Sequence, residues 1–140
     1  MLSTLGAVSA SFATTLSVHV SVGTMPIDAF GTAEQKTRYL KELMSGAKMA
    51  AFGLTEPDAG SDAASGQCSA LPGFEVLPGD QKLGLCGSDW GELRFNNCLA
   101  SLSQRLGDEQ KGFAIFMQSL EAGRVSIAAI SLGIAQACLN

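Results

Sequence analysis

Phe52-Gly53-Leu54-Thr55-Glu56-Pro57-Asp58-Ala59-Gly60-Ser61-Asp62 is the stretch on which the reading of this chain turns. The apolar run Met49–Leu54 predicts a short strand. It ends in a turn too polar and too rich in glycine to be buried filler. Pro57 fixes its own φ and pushes Glu56 out of the helical region. Gly60 supplies a positive φ or a close backbone approach. Thr55 and Ser61 set a hydroxyl at either end. A loop of this kind can present free N–H groups and hydroxyls to an anion or to a ring rich in carbonyls. Punctuation by Pro and Gly is also how ordinary turns are built, so this chemistry alone leaves both readings open.

Outward from this loop, composition sets bounds. The 140 residues suffice for one domain. Hydrophobic content is 46% and the mean hydropathy is +0.23, high for so short a soluble chain. That excess predicts apolar surface meant for a partner subunit or for further parts of the same fold. The net charge of −4 and the lack of any basic cluster argue against nucleic acid as a partner. Four scattered cysteines, Cys68, Cys86, Cys98 and Cys138, form no C-x-x-C pair, and the single histidine, His19, has no metal-ligand spacing around it. A reducing compartment follows. The first 27 residues carry no charged side chain. Without Lys or Arg they do not read as a signal peptide or presequence, and Ser, Thr and Gly interrupt them too often for a membrane span.

The rest of the chain predicts helix, then strand, then helix. Leu5, Val8, Phe12, Leu16 and Val20 recur at three- and four-residue steps, predicting a buried helix to about residue 24 that ends at Gly23 and Pro26. Thr32-Ala33-Glu34-Gln35 has capping-box spacing and opens a helix to Met44, with Tyr39, Leu40, Leu43 and Met44 on one side and Gly46 as its stop. Gly73–Leu77 and Glu92–Asn96 alternate as short strands. Two or three such strands make an underbuilt sheet. From Gln110 onward the pattern is helical. Phe113, Phe116, Met117, Leu120, Ile127, Ile130 and Ile134 form an apolar stripe, and Ala122, Gly123, Ala128, Ala129, Gly133, Ala135 and Ala137 permit close contact.

Leu54-Thr55-Glu56-Pro57, two residues, then Gly60-Ser61-Asp62 resembles the signature of the acyl-CoA dehydrogenase family. Other anchors follow in the same order. His19–Gly23 and Gly31–Lys36 look like the later helices of that family's N-terminal α domain. Pro72–Val76, Asp80–Leu85 and Ser88–Cys98 look like stretches of its central β domain. Lys111–Phe113, Met117 and Leu120–Arg124 look like the start of its C-terminal helices. The implied fold class is α+β: N-terminal helices (1–47), a shortened central β domain (48–108) and the first helix of a C-terminal bundle (109–140). The resemblance has a gap. Only Ala63–Leu71 stands where the family has an N-G-x-K and W-I-T-N region, so several strands and a second flavin-contacting segment have no counterpart. Cys86 stands where arginine is common, and Glu121 where aspartate is common.

The resemblance implies FAD as cofactor and α,β-dehydrogenation of an acyl-CoA thioester, within fatty acid β-oxidation. Phe52, Leu54, Thr55, Gly60 and Ser61 would line the flavin, and Ser61, Glu121 and Arg124 would lie on the substrate side. The family's usual catalytic glutamate falls beyond Asn140, and its alternative position in some members is occupied here by Gly123. Implied partners are the acyl-CoA, an electron-transfer flavoprotein and further copies of the chain, with neither nucleic acid nor membrane. The implied location is the bacterial cytoplasm or the mitochondrial matrix. With the flavin groove incomplete, turnover by the chain alone is not expected, and a non-catalytic interaction module of the same family is the second reading. Each residue also has a plainer role. Phe52 and Leu54 suit strand core, Thr55 and Ser61 suit turn closure, and Glu121 and Arg124 suit a surface ion pair. His19 reads as a satisfied or interface histidine.

Overall fold

A computed structural model describes residues 1–54, 73–99 and 101–140. The elements are α1 (Leu2–Val8), α2 (Ala10–Ser17), a π-helical segment (Val18–Thr24), α3 (Met25–Phe30), α4 (Ala33–Met44), β1 (Phe74–Pro78), β2 (Gly91–Phe95), a 3-10 turn (Leu102–Gln104) and α5 (Gly112–Leu139). The mix of helices with one small sheet matches the α+β expectation.

The apolar N-terminal run is not one helix. Ser9 sits in an extended conformation (φ −153°, ψ 100°), and its hydroxyl accepts from the Phe12 N–H at 3.3 Å. It therefore stops α1 and caps α2, because a serine oxygen can satisfy an N–H that the new helix leaves free. Beyond Ser17 the winding loosens to a π-helix. Pro26 does not end a helix either. It lies in the first turn of α3, where its missing N–H costs nothing, and Gly31 ends that helix. The second helix follows its sequence pattern closely. Thr32 and Gln35 form the reciprocal capping box, and Gly46 with φ +74° follows the last turn. Met44 departs from the expected apolar side and faces solvent.

The sheet is a single antiparallel pair in which Phe74 faces Phe95 and Val76 faces Leu93. Phe74 and Phe95 stack with centroids 5.3 Å apart. Gly73 opens the hairpin at φ +102°, and its carbonyl accepts from the Asn96 N–H at 3.0 Å. Arg94 hydrogen-bonds Glu92 at 2.8 Å and stands opposite Glu75. These two carboxylates, Glu92 foremost, hold the exposed guanidinium above its ordinary pKa. The connecting turn docks on α2: Gly87 N–H donates to Ser11 Oγ at 3.2 Å, and Thr15 Oγ1 donates to Ser88 Oγ at 3.0 Å.

The core is the crossing of α1 over α5, extended by α2 and the π segment. Its seam on α5 runs through Ser119, Gly123, Ser126, Ile130 and Gly133, a face of mostly small residues. The buried hydroxyls cost little there, since Ser119 and Ser126 donate to the carbonyls four residues back. A methyl group at Gly133 would lie 1.9 Å from the Ser3 carbonyl oxygen, and one at Gly6 would lie 2.8 Å from the Ile130 oxygen. Of the expected large apolar stripe, Ile130 alone is buried at the seam. Phe113, Ile127 and Ile134 are exposed, because backbones this close admit mostly small side chains between them.

Two glycines of α5 should respond in opposite ways to alanine. Gly133→Ala drives a methyl into the α1 backbone and should lower stability by at least about 2 kcal/mol. Gly123→Ala meets Val22 Cγ1 at 3.4 Å and Ser21 Oγ at 3.8 Å, both ordinary contacts. It should raise stability by up to about 1 kcal/mol through helix propensity. Urea unfolding of both variants checks this.

Candidate functional site

Residues 51–54 adopt no strand, against expectation. Among the described residues no main-chain partner strand runs beside them, so the apolar run has no ladder to join. It is fixed from three sides instead. Upstream, the Ala50 N–H donates to His19 Nδ1 at 3.0 Å. On one flank the Phe52 ring meets Phe116 of α5 edge to face, with centroids 5.3 Å apart and planes at 70°. On the other, Gly53 lies so close to β2 that a methyl group there would be 3.1 Å from Leu93 Cδ1. The segment is thus wedged between the long helix and the hairpin.

Phe52 and Leu54 are half-buried, while Ala51 and Gly53 are exposed. Among the described residues no hydrogen bond engages residues 51–54. Apolar side chains beside main-chain groups that have no partner among the described residues fit one side of a flat heteroaromatic ring with polar edges, so the described part of the loop is compatible with a flavin. Thr55, Gly60 and Ser61 lie outside the described residues.

Glu121 and Arg124 are exposed on α5, about one and two turns beyond Phe116, and no ion pair joins them among the described residues. Both charges are therefore left without a described protein partner. Gly123 lies between them in sequence but faces the other way, toward Val22 and Ser21 of the π segment. The fold brings Phe52 onto α5, a meeting that sequence spacing did not disclose: Phe116 read only as one member of an apolar stripe, and Leu93 only as a strand residue.

A separate shallow hollow of about 410 Å³ lies at the turn of the hairpin, lined among others by Asp80, Lys82, Cys86 and Trp90. Trp90 Nε1 donates to the Asp80 carbonyl at 3.0 Å, and Lys82 donates to the Ser88 carbonyl. Its polar groups are turned toward each other, and none of Phe52, Leu54, Glu121 or Arg124 borders it.

Residues 1–47 match the family model for the acyl-CoA dehydrogenase N-terminal domain. An acyl-CoA dehydrogenase of Bacillus subtilis is 36% identical over 95% of this chain and 48% of its own length. Among solved structures, butyryl-CoA dehydrogenase from Megasphaera elsdenii superposes with a TM-score of 0.92 at 31% identity, over 99% of this chain and 49% of that one. An acyl-CoA dehydrogenase from Bacillus anthracis complexed with FAD superposes with a TM-score of 0.86 at 25% identity, over 94% of this chain and 30% of that one. The chain spans about half the length of the curated relatives it matches. The Bacillus subtilis alignment runs over 181 residues although this chain has 140, so internal residues of the relative have no counterpart within the matched region.

The Phe52–Phe116 contact is measurable. In a double-mutant cycle of Phe52→Ala and Phe116→Ala, unfolding free energies should show a coupling of about 0.5–1.5 kcal/mol. Additive effects would mean that the rings do not meet in solution.

Proposed function

Because this chain belongs to the acyl-CoA dehydrogenase family, we propose that it carries one side of a flavin and acyl-CoA site built for α,β-dehydrogenation of a thioester. The observation that carries this reading is the segment 51–54, wedged between α5 and β2, whose half-buried Phe52 and Leu54 open the signature loop. Phe52 and Leu54 would pack against the ring system, with Thr55, Gly60 and Ser61 supplying hydroxyls and close backbone approach. FAD, when bound, supplies the acceptor for the substrate's β hydride. Ser61, Glu121 and Arg124 would face the acyl-CoA. Arg124 can pair with a phosphate of the CoA portion, whereas Glu121 can accept only from a donor group of the ligand.

The chain alone is proposed not to turn over. Gly123 offers no carboxylate to take the α proton, and the relatives' unmatched internal residues would have to complete the flavin groove. In a complete assembly the electrons would leave through an electron-transfer flavoprotein, and the chain would work as one copy in a homo-oligomer. A bacterial cytoplasm or a mitochondrial matrix suits this chemistry.

The test uses two proteins. The unmodified chain should purify colourless and should not reduce an electron acceptor with any acyl-CoA. A chimera completed with the unmatched internal residues and the C-terminal half of the Bacillus subtilis relative should purify yellow, and its flavin should bleach with an acyl-CoA. A chimera that folds yet takes up no FAD, beside a parent that does, would overturn the reading.

A second reading, a non-catalytic interaction module, draws on one observation. The outward face of α5 leaves Val125 73%, Leu132 65% and Leu139 81% exposed. On this reading the chain binds subunits of its own family through surfaces that complete members cover internally. Light scattering after size exclusion should then show a mixed complex with the Bacillus subtilis relative. A monomer that stays apart from the relative would count against it.

A further inference from the structure

We propose that His19 is a positioning residue: a neutral imidazole, with its proton on Nε2, that fixes where the 50–54 segment leaves the helical part of the fold. The site it positions is the one proposed above, but the positioning itself can be read without any flavin.

His19 is only 7% exposed, in the π-helical segment. Nε2 lies 3.1 Å from the Leu43 carbonyl oxygen, and Nδ1 lies 3.0 Å from the Ala50 nitrogen. A carbonyl can only accept and a main-chain N–H can only donate. Of the three protonation states of imidazole, only the neutral Nε2–H tautomer satisfies both contacts. The Nδ1–H tautomer and the imidazolium each set a proton against the Ala50 N–H.

The two partners give the ring its role. Leu43 is in the last turn of α4, and its carbonyl, which also accepts from the Gly46 N–H at 3.1 Å, has a second lone pair for the imidazole. Ala50 follows the turn built around Gly46. His19 therefore closes the 43–50 loop with one side chain. Gly23, four residues later in the π segment, abuts the same point, since a methyl group there would lie 2.5 Å from Ala50 Cβ. A π segment inside a helical run is uncommon and often marks a functional site. Here it turns both His19 and Gly23 toward Ala50. Two residues on, Phe52 meets Phe116, so displacement at Ala50 carries to the face offered by Phe52 and Leu54.

His19 is the sole histidine of the chain, so its ring ¹⁵N signals need no assignment. Long-range ¹H–¹⁵N correlation on the unmodified chain at neutral pH should show the Nε2–H tautomer. Amide exchange should show Ala50 protected. His19→Asn keeps an acceptor near the Nδ1 position, and His19→Gln keeps a donor near Nε2. Ala50 exchange should rise at least about tenfold in His19→Gln, as for the loss of one hydrogen bond, and clearly less in His19→Asn. A ring that merely fills space predicts equal effects from both variants. The Nδ1–H tautomer, a tautomer mixture or an unprotected Ala50 in the unmodified chain would overturn the proposal even if neither variant folds. None of these readouts depends on FAD, so failure here is separable from failure of the functional reading.

Discussion

The close crossing of α1 and α5 is the constraint on which the remaining structure rests. It joins the first helix of the chain to the last, and without it the long C-terminal helix would lack its main contact. The crossing is possible because Gly6 and Gly133 carry no side chain where each backbone nears the other. Each glycine weakens its own helix, by roughly 1 kcal/mol relative to alanine. Close packing along the seam offsets that loss, since short contacts between two backbones gather many weak attractions at once. The same proximity keeps most large side chains out of the seam, Ile130 excepted, and leaves Phe113, Ile127 and Ile134 of α5 exposed.

Two buried polar side chains then tie the connecting segments to this helical cluster. His19 holds the approach to the signature loop. Gln35 does comparable work elsewhere. Its Oε1 accepts from the Thr32 N–H in the capping box, and its Nε2 donates to the Ser103 and Arg105 carbonyls, both at 2.9 Å. One glutamine thereby caps α4 and anchors the segment that leads into α5. Both residues are buried with their polar atoms satisfied, the condition under which such groups specify one arrangement. Among the described residues, the segment 51–54 is consequently held by side-chain packing and by the Ala50–His19 bond, with no strand paired to it.

How much of this the sequence disclosed follows from the range of each interaction. Local signals read well. The capping box, the Gly46 stop, both strands and the extent of α5 all depend on residues a few positions apart. The alternation at 73–77 and 92–96 found its hairpin with a shift of one residue. Interactions at long sequence separation did not read. Nothing local reveals that Ser9 breaks the first helix, because serine is tolerated within helices and caps them equally well. The run Met49–Leu54 has strand composition but no strand beside it. Phe52 and Phe116 are far apart in the chain, and their contact depends on the α1–α5 crossing. Of the small residues expected at the contact on α5, Gly123 and Gly133 lie in the seam while Ala128, Ala135 and Ala137 are exposed, because which face of a helix meets its partner is decided by the backbone crossing and not by residue size alone. For the site, motif resemblance named the loop before geometry could, and the described geometry reaches only Phe52 and Leu54 of its flavin-facing residues.

The claim at the centre is that the segment 51–54 is one wall of a flavin site. Titrating the unmodified chain with FAD at millimolar concentration, followed by amide NMR, tests it most directly, since weak binding still shifts the amides it touches. The account predicts that the largest shifts fall on residues 51–55, Gly60 and Ser61, with smaller ones at Phe116 and Leu93. Shifts confined to the Trp90 hollow, or no shift along 51–54, would contradict it.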